Sequence, residues 1–307
     1  MSVLAYLHDA FGQHDTGLGH VEQMARYTHI KQAVYKSGWK IITAPLCDEA
    51  WLELAHSSEY LASIDRANAR IQAGETRFCF DADTSMMCFS REAALRAVGA
   101  NIAGVDALLA GKAKRAYVGA RPPGHHAERN RAMGFCLYSS VALAAKYAVE
   151  KAGLERVVIL DFDVHHGNGT QDVVQDEPRI LFISSHQMPL YPGSGYAHEE
   201  GCGNVLNIPL KPGGDSKDFK EAWSLKAFPR IKAFSPQLIL VSAGFDAHKD
   251  DPLSTMNLQV QDFAWIGQEI RKLAEDCCDG RVLSSQEGGY NLEALEASLY
   301  AYLIGLK

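Results

Sequence analysis

The stretch VVILDFDVHHGNGT, residues 157–170, decides the fold class of this chain. Residues 157–160 form a short, unbroken apolar run, the pattern of a strand buried on both faces of a parallel sheet. Asp161, Asp163 and His165 follow at alternate positions, so their side chains project together if the backbone stays extended. Because open α/β sheets bind ligands at the carboxyl ends of their strands, the stretch predicts a divalent-metal site. A solvated, aspartate-rich loop is the alternative.

The whole chain has the composition of an ordinary globular protein, with 307 residues, 47% hydrophobic and 22% charged side chains. A net charge of -7 and a pI near 5.9 argue against nucleic-acid binding and favour cationic ligands. Seven cysteines without metal-finger spacing indicate reduced thiols in a cytoplasmic protein. We expect no signal peptide and no membrane segment, because the start lacks a basic region and no apolar run approaches ~20 residues.

Apolar runs alternate with helical patterns along the sequence, which predicts a parallel α/β sheet flanked by helices on both faces. We predict strands at residues 3–7, 40–43, 116–119, 157–160, 180–184, 205–208, 238–242 and 282–285. We predict helices at residues 21–36, 48–54, 59–73, 91–109, 138–150, 218–234, 258–277 and 292–306. Residues 74–90 show no regular pattern, and Pro229 predicts a break in its helix.

Polar, glycine-rich loops follow five of these strands, and in a parallel sheet such loops gather at one edge. They read HDTGLGH at 14–20, RPPGHHA at 121–127, DFDVHHGNGTQ at 161–171, SAGFDAHKDDPL at 242–253 and EGGYNLEAL at 287–295. Taken alone, Asp246 favours a helix cap, the pair His125 and His126 favours loop hydrogen bonds, and Tyr290 favours core packing. Taken together, the loops predict one composite site.

The set of five loops resembles the zinc-dependent deacetylases of the histone deacetylase and acetylpolyamine amidohydrolase superfamily, which share the arginase-type fold. The sequences of the loops are most similar to those of the class II branch and its bacterial relatives. The resemblance extends from about residue 8 to residue 300. The resemblance implies a single deacetylase domain over residues 1–307. It also implies removal of an acetyl or other short acyl group from an acyl-lysine peptide or protein, or from a small N-acyl amine.

The resemblance implies that Asp163, His165 and Asp246 bind a catalytic Zn²⁺, with Fe²⁺ as the alternative. Three protein ligands leave a position open for water and substrate. Two anionic ligands leave the ion little net charge, so a nearby general base gains importance. The resemblance also implies a structural K⁺ held by the backbone carbonyls of Asp161, Asp163 and His165 together with Ser184.

For the catalytic residues, the resemblance implies that His126 is the general base and that His125 is mainly an electrostatic stabiliser. Their implied partners differ, since Asp161 would pair with His125 and Asn168 with His126. An aspartate raises the pKa of a histidine, whereas a neutral asparagine does not. Tyr290 would donate a hydrogen bond to the substrate carbonyl and then to the oxyanion.

The substrate tunnel follows from the same resemblance. Phe135 and Tyr191 would wall a narrow apolar tunnel, and the Gly134 carbonyl would accept the substrate amide N–H. Leu253 stands directly after the Asp-Pro pair of the fourth loop, where a polyamine-selective relative with an acidic gatekeeper carries glutamate. Because Leu253 takes this position, we expect that the chain lacks such an acidic gatekeeper.

The sequence alone does not decide the roles of two segments at the entrance of the tunnel. Asp81 or Asp83 either binds substrate backbone amides at the rim or is an ordinary solvated acid. The segment GHVEQMAR, residues 19–26, differs from the GHPER-like motif of the family. This difference puts in doubt whether His20 and Arg26 belong to an acetate-exit channel.

Three rival functions remain at this stage. An acetylpolyamine amidohydrolase keeps the same chemistry on a different amine. A binuclear manganese ureohydrolase would need further carboxylates near Gly167 and His248, which this chain lacks. A non-catalytic scaffold for acylated ligands would tolerate loss of Tyr290, which is present. The physiological substrate, the native metal and assembly as a homo-oligomer stay open.

Overall fold

A parallel sheet of eight strands forms the centre of the protein, which a computed structural model describes from residue 2 to residue 307. In chain order the strands are β1 (Val3–Leu7), β2 (Lys40–Thr43), β3 (Phe78–Cys79), β4 (Ser85–Met86), β5 (Arg115–Val118), β6 (Val157–Asp161), β7 (Ile180–Gln187), β8 (Val205–Leu210), β9 (Leu238–Ala243) and β10 (Val282–Gln286). The sheet order is β2-β1-β5-β10-β9-β6-β7-β8, and β3 and β4 form a separate antiparallel hairpin. All eight predicted strands are confirmed, and the hairpin lies in the segment without a predicted pattern.

Complete burial explains why the central strands β6 and β9 are apolar until they reach the edge of the sheet. In β6 and β9, Val157–Leu160 and Leu238–Val241 are 0% exposed. A strand covered on both faces has no side that can carry polar residues, so its sequence is a continuous apolar run. Polar residues begin only where each strand reaches the edge of the sheet, at Asp161 in β6 and Ser242 in β9.

Helices of very different length connect the strands. They are α1 (Ala10–Gln13), α2 (Ala25–Ser37), a 3-10 helix (Glu49–Leu54), α3 (Ser58–Gln72), α4 (Ser90–Leu109), α5 (Ser140–Glu150), α6 (Asn168–Val174), α7 (Ser216–Ala222), a π-helical turn (Trp223–Ala227), α8 (Phe228–Phe234), α9 (Val260–Cys277) and α10 (Leu292–Leu306). The predicted break near Pro229 is the π-helical turn, because proline lacks the N–H that would continue regular α-helical bonding. The predicted helix at 21–36 begins later, at Ala25.

Helices cover both faces of the sheet, as two neighbouring residues of β10 illustrate. Leu283 and Ser284 point to opposite faces because side chains alternate along a strand. The Leu283 side chain packs against α4, where a Cβ atom added to Gly104 would lie 2.7 Å from it. The Ser284 hydroxyl lies 2.7 Å from the hydroxyl of Tyr302 in α10, on the other face.

The order of the strands brings four of the polar loops together. Strands β5, β10, β9 and β6 are consecutive neighbours in the middle of the sheet, and all pair in parallel. Their carboxyl ends therefore meet at one edge, where the loops starting near residues 119, 287, 244 and 162 must lie close together. None of the helices in residues 2–307 combines the length and the hydropathy that a bilayer span requires.

Candidate active site

Two carboxylates and one imidazole meet at this edge of the sheet. Asp163 and His165 follow β6, and Asp246 follows β9. All three side chains are buried, and one potential ligand atom from each lies within 4.8 Å of the others. His165 Nδ1 is 3.0 Å from Asp163 Oδ1 and 3.1 Å from Asp246 Oδ2. The sequence-predicted ligand set is therefore brought together in three dimensions.

The charge balance of this cluster favours a cation. Burial and the neighbouring Asp163 raise the pKa of Asp246 to about 7. Burial would raise the pKa of Asp163 as well, but the positive charges of His125 and His165 bring it below its usual range. Burial alone would lower the pKa of His165, yet its hydrogen bonds to the two carboxylates raise it to about 10. Carboxylate oxygens and an imidazole nitrogen are donors that Zn²⁺ and Fe²⁺ accept, so the residues fit such an ion.

Main-chain groups orient the two carboxylates. The Gly288 N–H donates to Asp163 Oδ2 at 2.8 Å, and the Val164 N–H donates to Asp246 Oδ1 at 2.9 Å. A Cβ atom at Gly288 would lie 2.1 Å from Asp246 Oδ2, so only glycine fits against the cluster there. Such supporting hydrogen bonds hold ligands in place and tune their affinity for a metal.

The tandem histidines have opposite electrostatic surroundings. His125 Nδ1 lies 3.0 Å from Asp161 Oδ2, and His126 Nδ1 lies 2.7 Å from Asn168 Oδ1. Burial would lower the pKa of His125, but the charges of Asp163 and Asp161 outweigh it and raise the pKa to about 10. Burial, together with the positive charges of the neighbouring histidines, lowers the pKa of His126 well below its usual value. The two rings can therefore hold different protonation states at neutral pH.

Tyr290 lies in the loop that follows β10, buried beside the same cluster. Burial raises the pKa of Tyr290 well above its usual value, so the phenol keeps its proton and can donate a hydrogen bond. Its N–H donates to Asp251 Oδ2 at 2.7 Å. Its ring meets Phe135 edge-on at 5.9 Å, and the Arg26 guanidinium lies 4.8 Å from the ring centroid.

A narrow cavity of about 220 Å³ leads to these groups. Its lining residues are Asp83, His126, Gly134, Phe135, His165, Leu190, Tyr191, Leu253 and Tyr290. Tyr191 is 40% exposed and its ring lies 5.2 Å from that of His126. Larger grooves of about 540 Å³ and 660 Å³ lie beside residues 12–25, but their linings lack the metal-ligand cluster.

The tunnel wall at Gly134 and Phe135 has an uncommon backbone. Gly134 has φ 55°, and a Cβ atom there would lie 2.3 Å from the His126 ring. Glycine is therefore required by both conformation and space. Phe135 also has a positive φ of 68°, and its N–H donates to Thr84 Oγ1 at 3.1 Å. This bond ties the wall to the loop that carries the rim aspartates.

The two rim aspartates have separate positions. Asp83 lines the cavity, and burial together with the nearby Asp81 raises its pKa. Asp81 instead accepts hydrogen bonds from the N–H groups of Asp83 at 3.0 Å and Thr84 at 2.6 Å. His20 Nε2 lies 3.1 Å from the Asp83 carbonyl, and its ring meets Phe135 edge-on at 4.7 Å. Of the two candidates, Asp83 is the one placed to meet a ligand.

Arg26 lies in the segment 19–26, whose sequence differs from the GHPER-like motif. It is fully buried and donates to the carbonyls of Gly289 at 2.7 Å and Glu287 at 2.6 Å. Its Nη1 lies 2.7 Å from Glu22 Oε1, in an ion pair that is also buried. Because Arg26 holds the loop on both sides of Gly288, it supports the position of Tyr290.

Ser184 lies next to Asp161 in the register of β6 and β7, as the predicted potassium site requires. The Ser184 side chain is buried, and its hydroxyl lies 2.9 Å from His186 Nδ1. This neighbourhood is compatible with the prediction that the two residues share a cation.

Three acidic residues contact the site without having been singled out from the sequence. Glu287 accepts from the N–H groups of Gly124 at 2.7 Å and His125 at 3.1 Å. Asp251 accepts from the Tyr290 N–H, and Glu128 Oε1 accepts from Nδ2 of Asn168 at 2.7 Å. Each stands inside or directly beside a quoted loop, and that adjacency is the one sequence signal that could have found them.

Comparisons with known proteins agree on one family. The model of the histone deacetylase domain family matches residues 20–306. An uncharacterized protein of Synechocystis sp. is 42% identical over 297 residues, which cover 94% of each chain. A histone deacetylase-like amidohydrolase of Pseudomonas aeruginosa is 37% identical over 283 residues, covering 89% of this chain and 73% of that protein.

A solved structure agrees at the level of the fold. The crystal structure of the HDA15 HD domain has a TM-score of 0.90 and 31% sequence identity, and the match covers 100% of this chain and 90% of that chain. Some relatives are much longer, since the chain spans only 58% of the chloroplastic histone deacetylase 10 of Oryza sativa. Similarity to those proteins therefore concerns their deacetylase domain.

Proposed function

We propose, from the premise that this chain belongs to the histone deacetylase family, that it is a metal-dependent amidohydrolase for N-acyl amines. It would remove an acetyl or other short acyl group from an acyl-lysine peptide or protein. One observation carries the proposal: His126, His165 and Tyr290 line the same 220 Å³ cavity. A base, a metal ligand and a phenol donor are thus within reach of one substrate group.

Asp163, His165 and Asp246 would hold the divalent ion, Zn²⁺ or alternatively Fe²⁺. Such an ion supplies Lewis acidity toward a carbonyl oxygen and favours ionisation of water. Within residues 2–307 the structure contains one three-residue group of this kind. That count supports a single-metal enzyme rather than a binuclear ureohydrolase.

His126 would act as the general base. With Asn168 accepting from Nδ1–H, the Nε2 nitrogen is free to take a proton from the attacking water. The lowered pKa of His126 keeps it neutral and ready to accept. The same nitrogen would later deliver the proton to the leaving amine. His125, whose pKa is raised to about 10, would stay protonated and stabilise the negative charge that develops nearby.

Tyr290 and the tunnel residues would position the substrate. The phenol of Tyr290 would donate to the substrate carbonyl and more strongly to the oxyanion. Phe135 and Tyr191 would enclose a methylene stem, and the Gly134 carbonyl would accept the amide N–H. Leu253 lines the cavity, so the place of an acidic polyamine gatekeeper holds an apolar side chain. That replacement supports acyl-lysine over acetylpolyamine as the substrate.

Several finer assignments belong to the same proposal. We propose that residues 1–307 form one deacetylase domain, that it acts in the cytoplasm, and that K⁺ binds near Asp161, Asp163, His165 and Ser184. We propose no nucleic-acid or membrane partner, and sedimentation would decide between a monomer and a homo-oligomer. Potassium dependence of activity, measured with Na⁺ as the control ion, tests the cation site.

A substrate panel tests the proposed reaction. Zinc-loaded protein is assayed with acetyl-lysine, propionyl-lysine and butyryl-lysine peptides and with acetylputrescine. We expect the highest kcat/KM on a lysine peptide. A clear preference for acetylputrescine would instead assign the polyamine reaction, and absence of all hydrolysis would reject the amidohydrolase.

A further inference from the structure

Asn168 connects the histidine pair to a carboxylate outside the cavity. Its Oδ1 lies 2.7 Å from His126 Nδ1, and its Nδ2 lies 2.7 Å from Glu128 Oε1. Asn168 is 8% exposed, so water cannot easily replace either partner. A continuous chain of hydrogen bonds therefore runs from His126 through the amide to Glu128.

The orientation of this amide decides which ring nitrogen of His126 carries the proton. An asparagine side chain accepts at one end and donates at the other. With Oδ1 toward the ring, Nδ1 must donate, and Nε2 keeps the lone pair that a general base needs. With the amide reversed, the NH2 group would donate to Nδ1 and move the proton to Nε2. His126 could then not accept a proton on the side of the cavity.

Glu128 removes this ambiguity because a carboxylate only accepts. The amide atom 2.7 Å from Glu128 Oε1 must therefore be the nitrogen. Two further acceptors lie on the same side of the amide, Met133 Sδ at 3.3 Å and the His126 carbonyl at 3.5 Å. All three contacts favour the orientation in which Oδ1 faces His126.

Glu128 is itself held from several sides. Its side chain pairs with Arg131 Nη2 at 3.2 Å, and its N–H donates to the Arg131 carbonyl at 2.9 Å. The Glu128 carbonyl lies 3.0 Å from His56 Nδ1. His56 Nε2 accepts from the Ser139 N–H at 3.0 Å, so Nδ1 is its donor nitrogen. Two of these bonds hold the backbone of Glu128, and Arg131 pairs with its carboxylate.

We propose that Glu128 is a positioning residue that sets the tautomer of His126 by fixing the orientation of the Asn168 amide. The role rests on the proposed function, in which His126 is the general base. Glu128 acts through Asn168 and does not line the cavity. The carboxylate that orients His126 is thus one residue away from the ring, with Asn168 in between, and does not contact the ring directly.

A charge-conserving exchange tests this role. In E128Q, the group that could only accept becomes an amide that can also donate, so only the two longer contacts still favour the wild-type orientation and the second tautomer of His126 becomes populated. In N168D, two carboxylates face each other where the wild-type contact is 2.7 Å, and the extra negative charge favours protonated His126. In E128Q/N168D the new glutamine amide donates to the new carboxylate, which can only accept from His126. The double variant therefore restores the total charge and the Nδ1–H donor, while the carboxylate now beside His126 raises the pKa of the ring.

Two readouts are measured on zinc-loaded protein. The first is the ¹⁵N NMR spectrum of His126, assigned with a His126→Gln variant, which distinguishes protonated from unprotonated ring nitrogens without any turnover. The second is kcat on the best acyl-lysine peptide. E75Q is the matched control, because Glu75 also pairs with an arginine, Arg70 at 2.7 Å, but lies outside the chain of bonds.

We expect one Nδ1–H tautomer in wild type, E75Q and the double variant, and a mixture in E128Q. We expect kcat to fall severalfold in E128Q and about tenfold in N168D, less than the roughly 10²–10⁴-fold typical of general-base catalysis as a whole, and the double variant to recover more activity than the product of the single losses as pH rises above the raised pKa of His126. An unchanged single tautomer in E128Q, or losses that simply multiply in the double variant, would overturn the role. If no protein hydrolyses any substrate, the proposed function fails, while the NMR comparison still decides the inference.

Discussion

The rings of His125 and His126 lie 4.0 Å apart, yet one is bound to an aspartate and the other to an asparagine. This difference in partner separates two otherwise similar groups. His125 is held in the charged form, with its pKa raised to about 10, and His126 is held in the neutral form. A pair of histidines can thereby supply both a positive charge and a base at the same pH.

Replacing the base should be more damaging than replacing the charged histidine. We expect His126→Gln to lower kcat by about 10³-fold, within the range for loss of a general base, and His125→Gln to lower it less. Zinc content, measured by mass spectrometry, should be unchanged in His126→Gln, since that residue is not among the proposed ligands. Equal or reversed losses would contradict the assignment of roles.

Loss of the Tyr290 hydroxyl should affect turnover and leave metal binding intact. We expect Tyr290→Phe to lower kcat by on the order of 10²-fold or more, the effect of removing one oxyanion donor. The exposed Tyr196, 49% accessible, provides the control Tyr196→Phe. Near-normal turnover in Tyr290→Phe would reject the phenol as a donor.

Asp251 should control the order of the Tyr290 loop. Its carboxylate accepts from the N–H groups of Tyr290 at 2.7 Å, Asn291 at 3.3 Å and Leu253 at 3.0 Å. Asp251→Asn replaces one of the two acceptor oxygens by an NH2 group that would face N–H donors, and we expect faster amide hydrogen exchange at residues 287–292. Asp250→Asn is the matched control, because the Asp250 side chain is 57% exposed. Equal exchange rates in the two variants would show that Asp251 does not anchor this loop.

His56 should make the fold sensitive to acid. Burial lowers the pKa of His56 from 6.5 to about 4. Between these values the unfolded chain binds a proton that the folded chain does not, so the free energy of unfolding falls as pH decreases. At about 1.4 kcal/mol per pKa unit, the loss is at most about 3.5 kcal/mol.

Urea unfolding at about pH 7 and about pH 5 measures this dependence. We expect His56→Asn to be less stable near neutrality but to lose less stability on acidification. The exposed His198 provides the control His198→Gln, which should keep the wild-type slope. An unchanged slope in His56→Asn would show that other groups cause the acid sensitivity.

The strands were predictable because burial leaves a direct trace in the sequence. An unbroken apolar run such as Val157–Leu160 is what a strand covered on both faces requires. The start of α2 at Ala25 was not predictable, since residues 21–24 contain no clear signal that the helix begins after them. Burial of Glu22 against Arg26 and Arg121 fixes that segment through partners distant in sequence.

The same contrast applies to the candidate site. Loops at the ends of adjacent strands indicated which side chains could meet, including Asp163 and Asp246, which are 83 positions apart. Glu128 and Asp251 were missed because their partners are a side-chain amide and main-chain N–H groups. Hydrogen bonds of this kind leave no periodic pattern, so only three-dimensional contacts identify them.

A zinc titration of metal-depleted protein tests the central claim most directly, with hydrolysis of an acetyl-lysine peptide measured at every step. The account predicts that activity rises in proportion to bound zinc and reaches its plateau at one ion per chain. Asp246→Asn should bind zinc more weakly by on the order of 100-fold or more, because loss of a charged ligand should cost at least as much as loss of a group that only orients one. A plateau at two ions, activity without metal, or full zinc affinity in Asp246→Asn would contradict it.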